Sequence, residues 1–186
     1  MSIFVTTFLQ RIMYISAFQN IRDLVPGDHL CCIYSSEEEQ RQVVTHYVHL
    51  GLEREHKVIY IVDTHTADAV NGYLEEDGIE TKDYMERGQL VFLTGQDTYT
   101  SGGRFDPDAM IALLEQETRK ATDEGYVALR VTGEMTWALR GLPGSDRLIE
   151  YENKLNRFMP KHSCMAICQY DKRRFDAHVL LDVLRT

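Results

Sequence analysis

The residues best equipped for chemistry lie in three short stretches. Asp28-His29 opens an apolar run, HLCCIY, in which alternation places His29 and Cys31 on one side and Cys32 on the other. Cys164 and Cys168 share a side of a later run, Ser163 to Tyr170, for the same reason. If the two runs were neighbouring strands, His29, Cys31 and one of these cysteines could converge as soft metal or haem ligands. Against that stands the ordinary fate of a free cysteine, which is to fill a strand core, and no C-x-x-C pair supports a zinc ribbon or redox centre. The preferred expectation is therefore no metal and no cofactor. The third stretch, Arg130 to Trp137 (RVTGEMTW), is the densest polar and aromatic group and holds the only tryptophan. Arg130 and Thr132 share a side, and an arginine in an apolar strand is costly unless a carboxylate pairs with it, so Glu134 or Asp63 is expected to do so.

Other chemistries lack their residues. A phosphate cradle needs a glycine loop and a lysine, whereas the first run continues into YSSEEEQ and the pair Gly-Lys is absent from the chain. Three carboxylates at a helix start complement the helix dipole and fill the place where phosphate would dock. Gly102-Gly103 is a weaker alternative cradle, because it precedes Asp106 and not a cationic helix start. No nucleophile elbow with an ordered Ser-His-Asp or Cys-His-Asn set is present, which leaves a hydrolase without support.

The elements that must position these residues follow from periodicity. Ser36 with Glu39 forms a capping box before a helix carrying Val43, Val44, Tyr47 and Val48, and Gly51 stands where a C′ glycine would end it. KVIYIV (57–62), QLVFLT (89–94), YVALRVT (126–132) and Ser163 to Tyr170 read with HLCCIY as five strands, near-continuous in apolar residues like those of a parallel sheet. Helices are expected from Thr66 to Glu76, around Lys82 to Arg87, after the Asp106-Pro107 start, from Asp146 to about Met159, and at the end around Phe175 to Leu184. Alternating strands and helices predict right-handed crossovers and a mainly parallel sheet with helices on both faces. Ligands of such sheets bind beyond the carboxyl ends of the strands.

With 186 residues, 44% hydrophobic and 26% charged, the chain is sized for one α/β domain that needs no disulfide or metal staple. Its net charge of −9 without a basic stripe argues against nucleic acid. The first twenty residues form an apolar arm that is read as an N-terminal extension (1–21), an amphipathic helix on Phe8, Ile12, Ile15 and Phe18 or a weak strand. Gln10 and Arg11 cut it short of a membrane span, and it lacks the charged start and cleavage site of a signal peptide, so a cytoplasmic protein is expected.

The segments GDHLCCIYSSEEEQ, HLGLEREHKVIYIVD, GQLVFL, GGRFDPD, LRVTGEMTWAL, YENKLN and AICQYDKRRFD, taken together over residues 22–186, resemble the MEDS family, the methanogen and methylotroph sensory domain. The resemblance implies a RecA/KaiC-like three-layer fold that senses small hydrocarbon derivatives, with a kinase, DNA-binding or anti-sigma output protein or domain as partner. LGLEREHKVIYIVD is similar to the KaiC segment between the phosphate-loop helix and the second strand. That alignment sets YSSEEEQ in place of the Walker A loop, a family that kept the fold and lost the NTPase chemistry. The expected function is a non-catalytic sensor with a pocket at the carboxyl edge, lined by His29, Tyr34, Asp63, Arg130, Thr132, Glu134 and Trp137. The 95–105 loop or the N-terminal arm is the element expected to respond. The competing readings are a residual KaiC-like nucleotide-binding ATPase and a ligand-free interaction module, with a homodimer assembled through the arm.

Overall fold

A computed structural model describes residues 3–6 and 21–186. The sheet runs β1 (Ile3–Thr6), β2 (His29–Tyr34), β6 (Cys164–Asp171), β5 (Leu129–Glu134), β3 (Lys57–Val62), β4 (Leu90–Thr94). Strands β2 to β6 are mutually parallel, and β1 adds to the edge of β2 antiparallel. The arm thus contributes a sixth strand, while the amphipathic helix expected on Phe8 to Phe18 falls outside the described residues.

Helices cover both faces. On one lie α1 (Glu37–Glu53), α2 (Ala67–Glu76) and α3 (Thr81–Glu86); on the other lie α4 (Pro107–Asp123), α5 (Leu148–Phe158) and α6 (Ala177–Val183). Every residue of β2, β3, β5 and β6 is buried, as the unbroken apolar runs require when both faces are covered. Alternation divides the core into two. Cys31, Ile33, Ile59, Ile61, Val131 and Cys168 pack under α4 and α5, and Leu30, Cys32, Tyr34, Tyr60, Met165 and Ile167 pack under α1 and α2.

The starts of α1 and α4 form as their capping residues dictate. Ser36 Oγ accepts from the Glu39 N–H at 3.1 Å, and Asp106 Oδ1 accepts from the Asp108 N–H at 3.0 Å ahead of Pro107. The end of α1 differs from expectation. Gly51 lies inside the helix, and the left-handed turn is supplied by Glu55 at φ 57°. Glycine is needed at 51 for another reason: a Cβ there would meet Arg130 Cδ at 2.7 Å and Val58 Cγ2 at 2.8 Å. The helix crosses the sheet directly over the arginine.

Candidate functional site

The carboxyl edge gathers a closed ionic network on the α1 side. Glu134 ends β5 fully buried, and its Oε2 accepts the backbone N–H groups of Asp63, Thr64 and His65 at 3.2, 2.6 and 3.1 Å. These are the donors of the turn that leaves β3 for α2, so one carboxylate satisfies three backbone N–H groups of that turn. Its Oε1 pairs with His65 Nδ1 at 2.9 Å, and His65 Nε2 reaches Glu37 Oε2 at 2.7 Å. Glu37 in turn accepts from Arg173, which also holds Asp171 at the end of β6. Asp63 takes a hydroxyl from Thr136 at 2.6 Å and the guanidinium of Arg140 at 2.5 Å. The connection from β2 to α1 is two residues long, Ser35 and Ser36, and Glu39 occupies the Ser35 N–H and hydroxyl at 2.8 and 2.7 Å.

The hydrogen bond that His65 donates to Glu134, followed by the charge of Glu134 and then Glu37, raises His65 to about 9 against the burial that opposes it. Arg173 beside Glu37 holds that carboxyl below its usual range. A histidine raised in the folded state contributes stability in full below about pH 6.5, and the contribution declines and is lost as pH rises to about 9. Because Glu37 is more than half exposed, solvent screening reduces the effect to about 2 kcal/mol. Urea midpoints measured from pH 6 to pH 10 are expected to fall more steeply for the wild type than for His65→Gln; parallel curves would show that the network does not hold the proton.

Below this edge, a buried relay runs between helix and sheet. Gln40 Nε2 donates to Gln169 Oε1 at 2.7 Å, Tyr60 donates to the same oxygen at 3.2 Å, and Gln169 Nε2 donates to Thr132 Oγ1 at 2.8 Å. Thr132 passes its own hydrogen to Ile167 O at 3.0 Å.

The opposite face carries the aromatic residues. The 3-10 turn Met135–Arg140 turns Trp137 into the core, stacked on Tyr99 with ring centroids 5.0 Å apart and tilted against Phe105 at 4.1 Å. Tyr151 of α5 meets Tyr99 and Phe105 edge-on. Trp137 Nε1 is buried without a hydrogen-bond partner, an unmet donor in an otherwise apolar and aromatic wall. Tyr99 and Phe105 both come from the segment between β4 and α4, whose Gly102 and Gly103 have φ of 73° and 78°.

The seven residues singled out from sequence are thereby distributed over three places. Tyr34, Asp63 and Glu134 lie at the carboxyl edge, with Thr132 one step below them. Trp137 is at the same edge but on the other face. His29 and Arg130 sit toward the amino ends of their strands, His29 under α5 and Arg130 under α1. Arg130 also lacks the expected carboxylate. It shares a face with Glu134, but four residues of strand separate them by about 13 Å. Its guanidinium instead donates to Tyr47 O at 3.0 Å and to His56 Nδ1 at 3.4 Å, lies over the Tyr47 ring, and leaves Nη2 unpartnered. Burial and this cation hold His56 down to about 4, so it stays neutral and can accept.

Toward the amino end of the α5 face, β2 and β6 are neighbours with Cys31 opposite Cys168. His29, Cys31 and Cys168 are joined there by Glu152 of α5, an acid with no solvent exposure. Burial raises both thiols well above the usual range, and Glu152 adds to the rise. Glu152 and Arg173 are not among the sequence candidates, whereas His65 lies at the strand edge where ligands are expected. A signal existed for the first: Glu152 falls four residues after Leu148, within the stripe Leu148, Tyr151, Leu155, Phe158 that α5 buries.

Comparison with known proteins agrees with this architecture. A KaiC-like protein from the hyperthermophilic archaeon Pyrococcus horikoshii OT3 superposes with a TM-score of 0.59 at 12% identity, over 85% of this chain and 68% of that one. The chain therefore has a RecA-like three-layer fold. The Transcriptional repressor DcmR of Methylorubrum extorquens is 26% identical over 166 residues, covering 88% of this chain and 59% of the repressor. The chain thus spans about three-fifths of that relative's length. Among the described residues no helix is long and apolar enough to cross a membrane. The family profile for the MEthanogen/methylotroph, DcmR Sensory domain matches residues 28–186, and the chain belongs to this MEDS family of sensory domains.

Proposed function

We propose that the domain is a non-catalytic sensor that takes up a small, largely apolar organic compound and regulates a kinase, transcription or anti-sigma output. The observation that carries this reading is the aromatic wall of Tyr99, Phe105, Trp137 and Tyr151 with an indole N–H left unmet at its centre. Such a wall suits a compound with an apolar body and one acceptor atom, which is how small-molecule sites combine burial with orientation. Two of its four rings come from the 95–105 loop, so a compound that replaces Tyr99 on Trp137 would bias that loop toward a second arrangement. The relative's description as a transcriptional repressor supports a regulatory output.

The carboxyl edge supports the absence of nucleotide chemistry. A phosphate loop needs eight residues between strand and helix, and here two suffice, with their donors held by Glu39 and the entrance closed by Glu37, His65 and Arg173. The four cysteines, buried and free of disulfides, suit the reducing cytoplasm.

Thermal-shift and Trp137 emission titrations with short alcohols, ketones, halogenated and methylated compounds test the reading. A compound of this class is expected to shift the emission and, at a hundred times its Kd, to stabilise the fold by about 2.7 kcal/mol, with MgATP changing neither. Unchanged emission and Tm across the series, or saturable MgATP binding, would overturn it.

A further inference from the structure

We propose that His29, Cys168 and Glu152 supply three ligands of a tetrahedral site for a single transition-metal ion of zinc's class, buried between β2, β6 and α5. The argument is geometric. Bonds of about 2.0 Å to nitrogen and oxygen and about 2.3 Å to sulfur set tetrahedral neighbours about 3.3 Å apart for nitrogen and oxygen and about 3.5 Å apart when one is sulfur. Here His29 Nε2 is 3.4 Å from Glu152 Oε2 and 3.3 Å from Cys168 Sγ. Single donor atoms of His29, Glu152 and Cys168 all lie within 4.8 Å of one another, the span of one ion and too narrow for a haem macrocycle.

The surroundings orient the ligands as a metal would need. Asn156 Oδ1, an oxygen that only accepts, stands 2.6 Å from His29 Nδ1. The ring proton is thus placed on Nδ1 and the lone pair on Nε2, toward Glu152 and Cys168. Tyr170 donates to Glu152 Oε1 at 2.6 Å, which fixes the carboxyl and leaves Oε2 facing the cluster. Among the described residues Glu152 has no lysine or arginine partner; the group it faces is His29. A fully buried carboxylate is expensive without a cation, and a divalent ion bound by the Cys168 thiolate and the Glu152 carboxylate leaves the site neutral. The donor set of one nitrogen, one oxygen and one sulfur selects zinc-class ions over magnesium or calcium. Binding replaces the Cys168 thiol proton, which leaves to solvent.

The full-length protein, purified without chelator, is expected to carry one zinc per chain by elemental analysis. Refolded with Co2+ alone, it is expected to show thiolate-to-cobalt charge transfer and the intense visible bands of a tetrahedral ion. X-ray absorption at the zinc edge should give a mixed shell at about 2.3 Å from sulfur and about 2.0 Å from nitrogen or oxygen. Asn156→Ala should weaken Co2+ about 10- to 100-fold with the band positions kept, since Asn156 positions a ligand and does not bind. Cys168→Ser and Glu152→Gln should abolish the bands or change their positions. The proposal is overturned by a wild-type protein that neither retains zinc nor takes up cobalt, by a shell without sulfur, or by bands indifferent to Cys168→Ser. The wild-type spectra decide the matter should a variant not fold. The site does not depend on the sensor reading: organic compounds failing to bind would leave the cobalt spectrum untouched, and a missing metal would leave the Trp137 titration untouched.

Discussion

Glu134→Ala is expected to destabilise the domain by about 3–5 kcal/mol, the range for breaking a buried charged pair. The acid is buried at the end of β5 and accepts from three backbone N–H groups and the His65 ring. Truncation leaves the N–H groups of the Asp63–His65 turn without partners in a site that the Cβ of alanine cannot fill with an acceptor. Against a total stability of about 5–15 kcal/mol for an ordinary domain, this is a large share. Glu134→Gln keeps one carbonyl oxygen for the turn and is expected to cost about 1–3 kcal/mol, in line with the loss of charge assistance. Urea unfolding of the pair of variants checks the order. A Glu134→Ala midpoint within error of wild type would mean that the carboxylate is not the clasp that joins β3 to β5 at this edge.

The neighbouring position acts on the other face. Gly133→Ala is expected to push Tyr99 off Trp137, because a Cβ at 133 would overlap the Tyr99 hydroxyl and approach its Cζ to 3.2 Å. Tyr99 is stacked on the indole and is itself buried, so it cannot yield without carrying the 95–105 loop outward. Overpacking of this kind costs about 1–3 kcal/mol, and Trp137 emission should move to the red as water reaches the ring. Tyr99→Phe removes the overlapping oxygen. The double variant is therefore expected to recover part of the lost stability and of the original emission, a coupling that a cycle of the single and double variants reads directly. Purely additive effects would show that the glycine is required for the strand and not for the tyrosine.

How far these features could be foreseen depends on the range of the interaction. Capping and strand burial are local, and Ser36, Glu39, Asp106, Pro107 and the run KVIYIV declare themselves within a few residues. The side shared by His29 and Cys31, and by Cys164 and Cys168, follows from alternation alone. What alternation does not give is position along the strand or the order of strands. Arg130 and Glu134 share a side and look like partners in a linear reading, yet they lie at opposite ends of β5. Their true neighbours, Tyr47 and His56 for one and the β3 turn for the other, come from elements some seventy to eighty residues away. Gly51 reads as a helix terminator because chain-local rules have no term for an arginine arriving beneath it. The aromatic wall was hidden for a related reason: Tyr99 and Phe105 sit in a segment without periodicity, where burial has no signature. The acid of α5 was legible only as an interruption of an apolar stripe.

The strand order has a bearing on how the chain acquires its shape. β2 and β3 are consecutive in sequence, yet the two strands that separate them in the sheet, β5 and β6, are synthesised last. A nascent polypeptide can therefore wind α1 and pair β3 with β4 early, but β2 and β3 stay apart until Asp171 has left the ribosome. Local hairpins cannot bridge the gap, so assembly waits on long loop closures and is expected to be slow. During that wait HLCCIY and KVIYIV each keep one edge unpaired, the material on which chaperones act and from which inclusion bodies grow.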